Sequence, residues 1–149
     1  MQAELPRFAG SEQHALDNKG RLIVPARFRG RLGDSFVLTI GQPDPCLYLY
    51  PTLTWVEYCR RLEGPVRKED RRGRRQILRY IFAHTEEVSC DSQGRVVIPA
   101  LLRAYAAIER DVVSVGLLTR IEIWAKERYS VADVSGDAVA DFMSDLGLI

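Results

Sequence analysis

The apolar positions of this chain fall into two matching series. Leu22-Ile23-Val24 and Val96-Val97-Ile98 are unbroken aliphatic runs, each preceded by a polar loop ending in Gly-Arg and followed by Pro-Ala. Asp17-Asn18-Lys19-Gly20-Arg21-Leu22-Ile23-Val24-Pro25-Ala26-Arg27-Phe28-Arg29 returns 74 positions later as Asp91-Ser92-Gln93-Gly94-Arg95-Val96-Val97-Ile98-Pro99-Ala100-Leu101-Leu102-Arg103. Val37-Leu38-Thr39-Ile40-Gly41 then matches Val112-Val113-Ser114-Val115-Gly116, and Leu47-Tyr48-Leu49-Tyr50 matches Ile121-Glu122-Ile123-Trp124. One module of roughly forty residues is written twice, and such a period governs the rest of the reading.

Both modules predict the same elements. An aliphatic run without polar alternation predicts a strand buried on both faces, over Leu22–Val24 and Val96–Ile98. Before it, Asp17 and Asp91 can accept hydrogen bonds from backbone N–H groups just downstream, and Gly20 and Gly94 supply the positive φ of a tight turn. Pro25 and Pro99 suit a first helical position. Short helices follow, from Ala26 to about Leu32 and from Ala100 to about Ala107, with Gly33 as a stop for the first. A second strand, a turn and a third strand complete each unit. A module this small cannot bury two-sided strands alone, so the copies must interleave, with each other or with another chain.

The remaining segments read as helices. Trp55, Tyr58, Cys59 and Leu62 share one face of a helix over Leu53–Leu62, which Gly64-Pro65 breaks. Val66 to Ala83 predicts a helix with a wet first half and an apolar face of Ile77, Leu78, Ile81 and Phe82. A helix from about Lys126 to Val134 is expected, interrupted at Gly136. Beyond it Val139, Phe142, Met143 and Leu146 share a face, with Asp137, Asp141 and Asp145 on another; this end should dock on its own chain or on a partner. Residues 1–11 form a lead-in anchored at Phe8 and Gly10. The expected organisation is a first module at 8–51, a helical linker at 52–84, a second module at 85–125 and a helical C-terminal segment at 126–149, in the α+β class and rich in strand.

Composition adds bounds. The 149 residues are 46% hydrophobic and 28% charged, with 21 basic and 20 acidic side chains, an ordinary soluble composition. No apolar run is long enough to span a membrane, and residues 1–6 do not resemble a signal peptide, so a cytoplasmic location is expected. Cys46, Cys59 and Cys90 match neither a disulfide framework nor a zinc pattern and read as free thiols. His14 and His84 sit at no ligand spacing, so no metal or cofactor is expected. No nucleophile–base arrangement, carboxylate pair or phosphate-binding loop suggests an enzyme or a small-molecule substrate.

The charge distribution points elsewhere. Residues 60–79 hold nine basic side chains (60, 61, 67, 68, 71, 72, 74, 75 and 79) against acids at 63, 69 and 70. Residues 130–149 hold four aspartates and no Lys or Arg. A basic working surface within a near-neutral chain follows. The basic run reads as a solvated helix face, a phosphate contact, or a contact with the acidic C-terminal helix of a neighbouring chain.

Arg21 and Arg95 carry the sharpest candidate chemistry, since each is fixed at a rigid loop edge beside an apolar strand. One reading pairs them with Asp17 and Asp91 to close their own loops. The other presents them, with Lys19, to phosphates or base edges. Duplication favours the second reading, because two equivalent loops suit a repetitive ligand such as duplex DNA. Arg27, Arg29 and Arg103 read either as phosphate contacts or as salt bridges between the modules.

These motifs resemble the MraZ family of bacterial regulators, encoded at the start of the division and cell-wall gene cluster. The likeness lies in Phe8-x-Gly10, His14-Ala15-Leu16-Asp17-Asn18-Lys19-Gly20-Arg21, Pro25-Ala26-Arg27-Phe28-Arg29 and Cys46-Leu47-Tyr48-Leu49-Tyr50-Pro51 with Trp55. It continues through Asp91 to Pro99, Val115-Gly116 and Glu122-Ile123-Trp124, covering roughly residues 8–130. The resemblance implies two tandem AbrB-like swapped-hairpin modules that form an intrachain pseudo-dimeric β-barrel. It also implies a homo-oligomeric ring and a nucleoid-associated, DNA-binding repressor of its own gene cluster, acting on short promoter repeats. Its DNA-contacting loops map onto Lys19 and Arg21 in the first copy and Arg95 in the second. An antitoxin-like DNA binder of AbrB type and a structural ring without specific DNA binding are the competing classes.

Overall fold

The computed structural model describes residues 4–130 and 134–149. The first copy supplies strands β1 (Ser11–Ala15), β2 (Arg21–Ile23), β3 (Ser35–Ile40) and β4 (Leu47–Pro51), with helix α1 (Ala26–Leu32) between β2 and β3. Helices α2 (Thr52–Leu62) and α3 (Arg71–Ala83) follow. The second copy repeats the series as β5 (Glu86–Ser89), β6 (Arg95–Val97), α4 (Ala100–Ala106), β7 (Asp111–Leu117) and β8 (Arg120–Ala125), and helix α5 (Gly136–Asp145) comes last.

Each strand of the first copy pairs antiparallel with a strand of the second: β1 with β7, β2 with β6, β3 with β5 and β4 with β8. The copies interleave within one chain, as their size demands. Six strands form a sheet in the order β1-β7-β8-β4-β3-β5, while β2 and β6 make a separate two-stranded ribbon. The sheet order reads the same from either end when copies are exchanged, so the chain has an internal pseudo-two-fold.

The expected closed barrel is corrected here. The six-stranded sheet is open, with β1 and β5 at its edges, and the short ribbon strands β2 and β6 pair as strands only with each other. The strands preceding each loop, β1 and β5, were not foreseen either. Their sequences, Ser-Glu-Gln-His-Ala and Glu-Glu-Val-Ser, are polar and carry little hydrophobic signal because both lie at edges.

The main core draws on both copies: Leu22, Val24, Phe28, Leu38 and Leu49 from the first, Val96, Ile98, Leu102, Val112, Ile121 and Ile123 from the second. Phe8 closes it edge-on against Phe28, with ring centroids 6.1 Å apart. On the other side Trp55 of α2 joins Val37, Cys46, Tyr48 and Tyr50 in a smaller cluster, and Phe82 of α3 meets Trp55 edge-on at 5.7 Å. The three cysteines are free.

Several boundaries shift for physical reasons. Pro25 and Pro99 stand just outside their helices as caps in extended geometry, and Gly33 ends α1 with φ 87°. Lys126–Arg128 is a single 3-10 turn rather than the start of a helix, and the remainder of that expected helix runs into residues 131–133, outside the described residues. Gly136 begins α5 instead of interrupting a helix, because Ser135 caps it: its Oγ accepts the Ala138 N–H at 3.0 Å. The helix read over 66–83 begins only at Arg71, after a 3-10 turn at Lys68–Asp70, and Ile77 faces outward.

His14 links β1 to β7 through a 2.7 Å contact between its Nε2 and the Ser114 Oγ. Burial holds its pKa below the ordinary 6.5, with Glu12 pulling weakly the other way. The unfolded chain therefore binds this proton more readily than the fold does. Its contribution to stability is complete above about pH 6.5 and is lost as pH falls through the lower folded value. Denaturant midpoints at pH 7.5 and 5.5 are expected to differ, and His14→Gln to shrink that difference.

Candidate nucleic-acid interface

Both Gly-Arg loops close the same way. Asp17 Oδ1 accepts the backbone N–H groups of Lys19 and Arg21, each at 2.9 Å, and its Oδ2 accepts the Arg21 Nε–H at 2.6 Å. Asp91 repeats this with Gln93 and Arg95 at 2.9 Å and with the Arg95 Nε–H at 2.7 Å. The Arg21 backbone N–H is the main influence holding the Asp17 carboxyl below its usual range, and the Arg95 N–H does the same for Asp91. Both carboxylates stay ionised at neutral pH, so the loops stay closed. Each arginine does pair with its own aspartate, yet only through Nε. Among the described residues its two terminal amino groups have no partner, and those are the donors of the guanidinium fork.

The ribbon puts the two loops into one surface. Arg21 lies opposite Val97, Leu22 opposite Val96 and Ile23 opposite Arg95. Side chains alternate along a strand, and directly opposed residues share a face. Leu22 and Val96 therefore point into the core, while Arg21, Ile23, Arg95 and Val97 share the outer face. Ile23 is 52% exposed and Val97 55%. The two arginines stand at diagonal corners of this patch, with Cα atoms roughly 7–8 Å apart on standard sheet geometry. Lys19, exposed beside Arg21, adds a positive charge where the second loop has Gln93.

The aliphatic runs were expected to be buried on both faces, and this is corrected: only one face is. Arg21 could have signalled it, because an arginine at the strand start fixes the outward face, and Ile23 two residues on must share it. Sequence reasoning missed Ile23 and Val97 as surface residues for that reason.

The helical arginines serve the loops across copies. Arg29 of α1 packs its guanidinium against Gly94 of the second loop and donates to the Val24 carbonyl at 2.8 Å. Arg103 of α4 lies against Gly20 of the first loop, its Cζ 3.1 Å from where a Cβ would stand. Neither arginine has an ion-pair partner among the described residues, whereas Arg27 pairs with Glu12 at 3.2 Å within its own copy. Positive charge thus underlies each loop from the opposite module. Gly20 and Gly94 hold φ of 73° and 78°. Alanine at either is expected to cost about 1–2 kcal/mol from backbone strain. Gly94→Ala should cost more than Gly20→Ala, because Arg29 would have to leave its bond to Val24; denaturant titration of the two variants measures the order.

Among the described residues, no group of three or more His, Cys, Asp or Glu could hold a metal ion, and no helix is long and apolar enough to cross a membrane.

Residues 7–76 and 81–132 match the MraZ protein family, whose description proposes an antitoxin-like character. The chain is 43% identical over 143 residues to the Transcriptional regulator MraZ of Lachnoclostridium phytofermentans, covering 95% of this chain and 98% of that one. It is 44% identical over 145 residues to the protein of the same name from Clostridium beijerinckii, covering 95% and 99%. With that of Thermoanaerobacter pseudethanolicus the identity is 43% over 144 residues, covering 93% and 98%. The doubled Gly-Arg loop, the interleaved strands and these full-length similarities together place the chain: it belongs to the MraZ family of transcriptional regulators.

Proposed function

We propose that this chain is a sequence-specific, DNA-binding repressor of its own division and cell-wall gene cluster, acting in the cytoplasm on the nucleoid and engaging short promoter repeats as a homo-oligomeric ring. It is not an enzyme. The supporting observation is the exposed ribbon face, on which Arg21 and Arg95 hold free guanidinium forks on loops locked by Asp17 and Asp91. A two-stranded ribbon fits the major groove, and Arg is matched to guanine O6 and N7. Ile23 and Val97 between them suit thymine methyl groups. Lys19 takes a phosphate. Arg27 offers a second phosphate contact at the cost of its pairing with Glu12, while Arg29 and Arg103 raise the potential beneath the loops. The AbrB-like swapped-hairpin pseudo-dimer gives each chain two readers, and a ring lines up several chains so that weak single contacts add by avidity.

The test is a gel-shift titration on DNA upstream of the gene, beside a shuffled fragment, at two salt concentrations. A clear preference for the true fragment is expected at both. Equal binding of the two fragments would overturn the repressor reading and leave a structural ring. The family description favours one second reading, an antitoxin-like DNA binder; co-purification of a toxin that the chain neutralises would establish it.

A further inference from the structure

Two surfaces take no part in the ribbon, and they match each other. The first is α5. Val139, Phe142, Met143 and Leu146 form its apolar stripe, and every residue of the helix is exposed except the half-buried Met143; Phe142 is 65% exposed. The second is a groove of about 570 Å³ between α2 and α3, lined by Leu62, Pro65, Val66, Ile77 and Leu78. Arg74 pins its corner by donating to the carbonyls of Leu62 and Gly64, so the groove is pre-formed. None of its lining residues belongs to α5.

Charge says what fits there. The groove's own charged lining balances Arg61 and Arg74 against Glu69 and Asp70, while the surrounding segment 67–79 adds basic side chains at 67, 68, 71, 72, 75 and 79 and no further acid. Residues 134–149 carry Asp137, Asp141 and Asp145 with no Lys or Arg. The aspartates lie away from the apolar stripe, Asp145 nearest to it, so the stripe can be buried while the carboxylates stay wet. Opposite fields steer such surfaces together and oppose pairing of like with like.

We propose that α5 of one copy docks in the α2–α3 groove of a second copy of this chain, Phe142 and Leu146 packing on Ile77 and its neighbours. Helix and groove are different surfaces, so the contact is heterologous and, repeated head to tail, builds a closed ring or an open chain. The inference rests on the oligomeric part of the proposed function and names the surface that builds the oligomer.

Light scattering on the full chain without DNA tests it, using wild type, Phe142→Asp, Ile77→Asp and an equimolar mixture of the two variants. Wild type is expected as an assembly larger than a dimer, and each variant as a monomer with unchanged circular dichroism. The mixture should give a one-to-one pair and nothing larger, because one variant keeps an intact helix and the other an intact groove. A variant that keeps the wild-type mass, or a mixture that stays monomeric, would overturn the docking. Should Ile77→Asp misfold, Val66→Glu replaces it at the same groove. Monomeric wild type would sink the oligomer reading as well, whereas the gel-shift preference stands or falls separately.

Discussion

Truncating Phe28 to alanine is expected to lower the unfolding free energy by about 3–5 kcal/mol while the chain still unfolds in one transition. Phe28 is 1% exposed and belongs to the core that both copies share. Its ring meets Phe8 on one side, and Leu22, Val24, Val96, Ile98 and Leu102 belong to the same cluster. A loss of that size is a large share of the 5–15 kcal/mol typical of a domain. Because β1, β2, β3 and β4 each bond to a strand of the other copy, a module whose partner opens is left with one hairpin, β3–β4 or β7–β8, and an uncovered core. Denaturant unfolding followed by the fluorescence of Trp55 and Trp124 together and by far-ultraviolet circular dichroism should give coincident curves. Two separated transitions would contradict an indivisible core.

The double variant Arg21→Ala/Arg95→Ala is expected to bind the true promoter fragment no better than a shuffled one. Each arginine that reads a base edge contributes about 1–3 kcal/mol of discrimination, roughly 5- to 150-fold in affinity. The fold should survive, since the Arg21 and Arg95 side chains retain 27% and 25% exposure and such ion pairs contribute only about 0–1 kcal/mol. Arg21→Lys sharpens the result. It keeps the charge but lacks the fork, so the salt slope should persist while the preference falls. If the alanine variants weaken true and shuffled fragments alike, the arginines hold phosphates and the sequence is read elsewhere.

The repeat made most of this legible in advance. A thirteen-residue motif found twice implied interleaving, because neither copy could bury its own strands, and the pairing of every strand across the copies has that origin. The loop chemistry was equally open to reading, since Asp, Gly and Arg at fixed offsets can do little else. Three things escaped. β1 and β5 are edge strands with polar sequences, so no hydrophobic pattern announced them. The outward turn of Ile23 and Val97 was hidden by an aliphatic run that looks like core. The cross-module seats of Arg29 and Arg103 depend on which helix lies under which loop, a tertiary fact that no local spacing encodes.

The pseudo-two-fold through the Leu22–Val96 pair carries a consequence for evolution. Two separate chains related by symmetry must present identical readers, and they suit a site that reads the same in both directions. Here both readers lie on one polypeptide, so a substitution at one leaves the other untouched. Lys19 against Gln93 is already such a divergence. A fused pair of this kind is free to recognise a directional repeat, and to keep every copy in an array pointing the same way along the DNA.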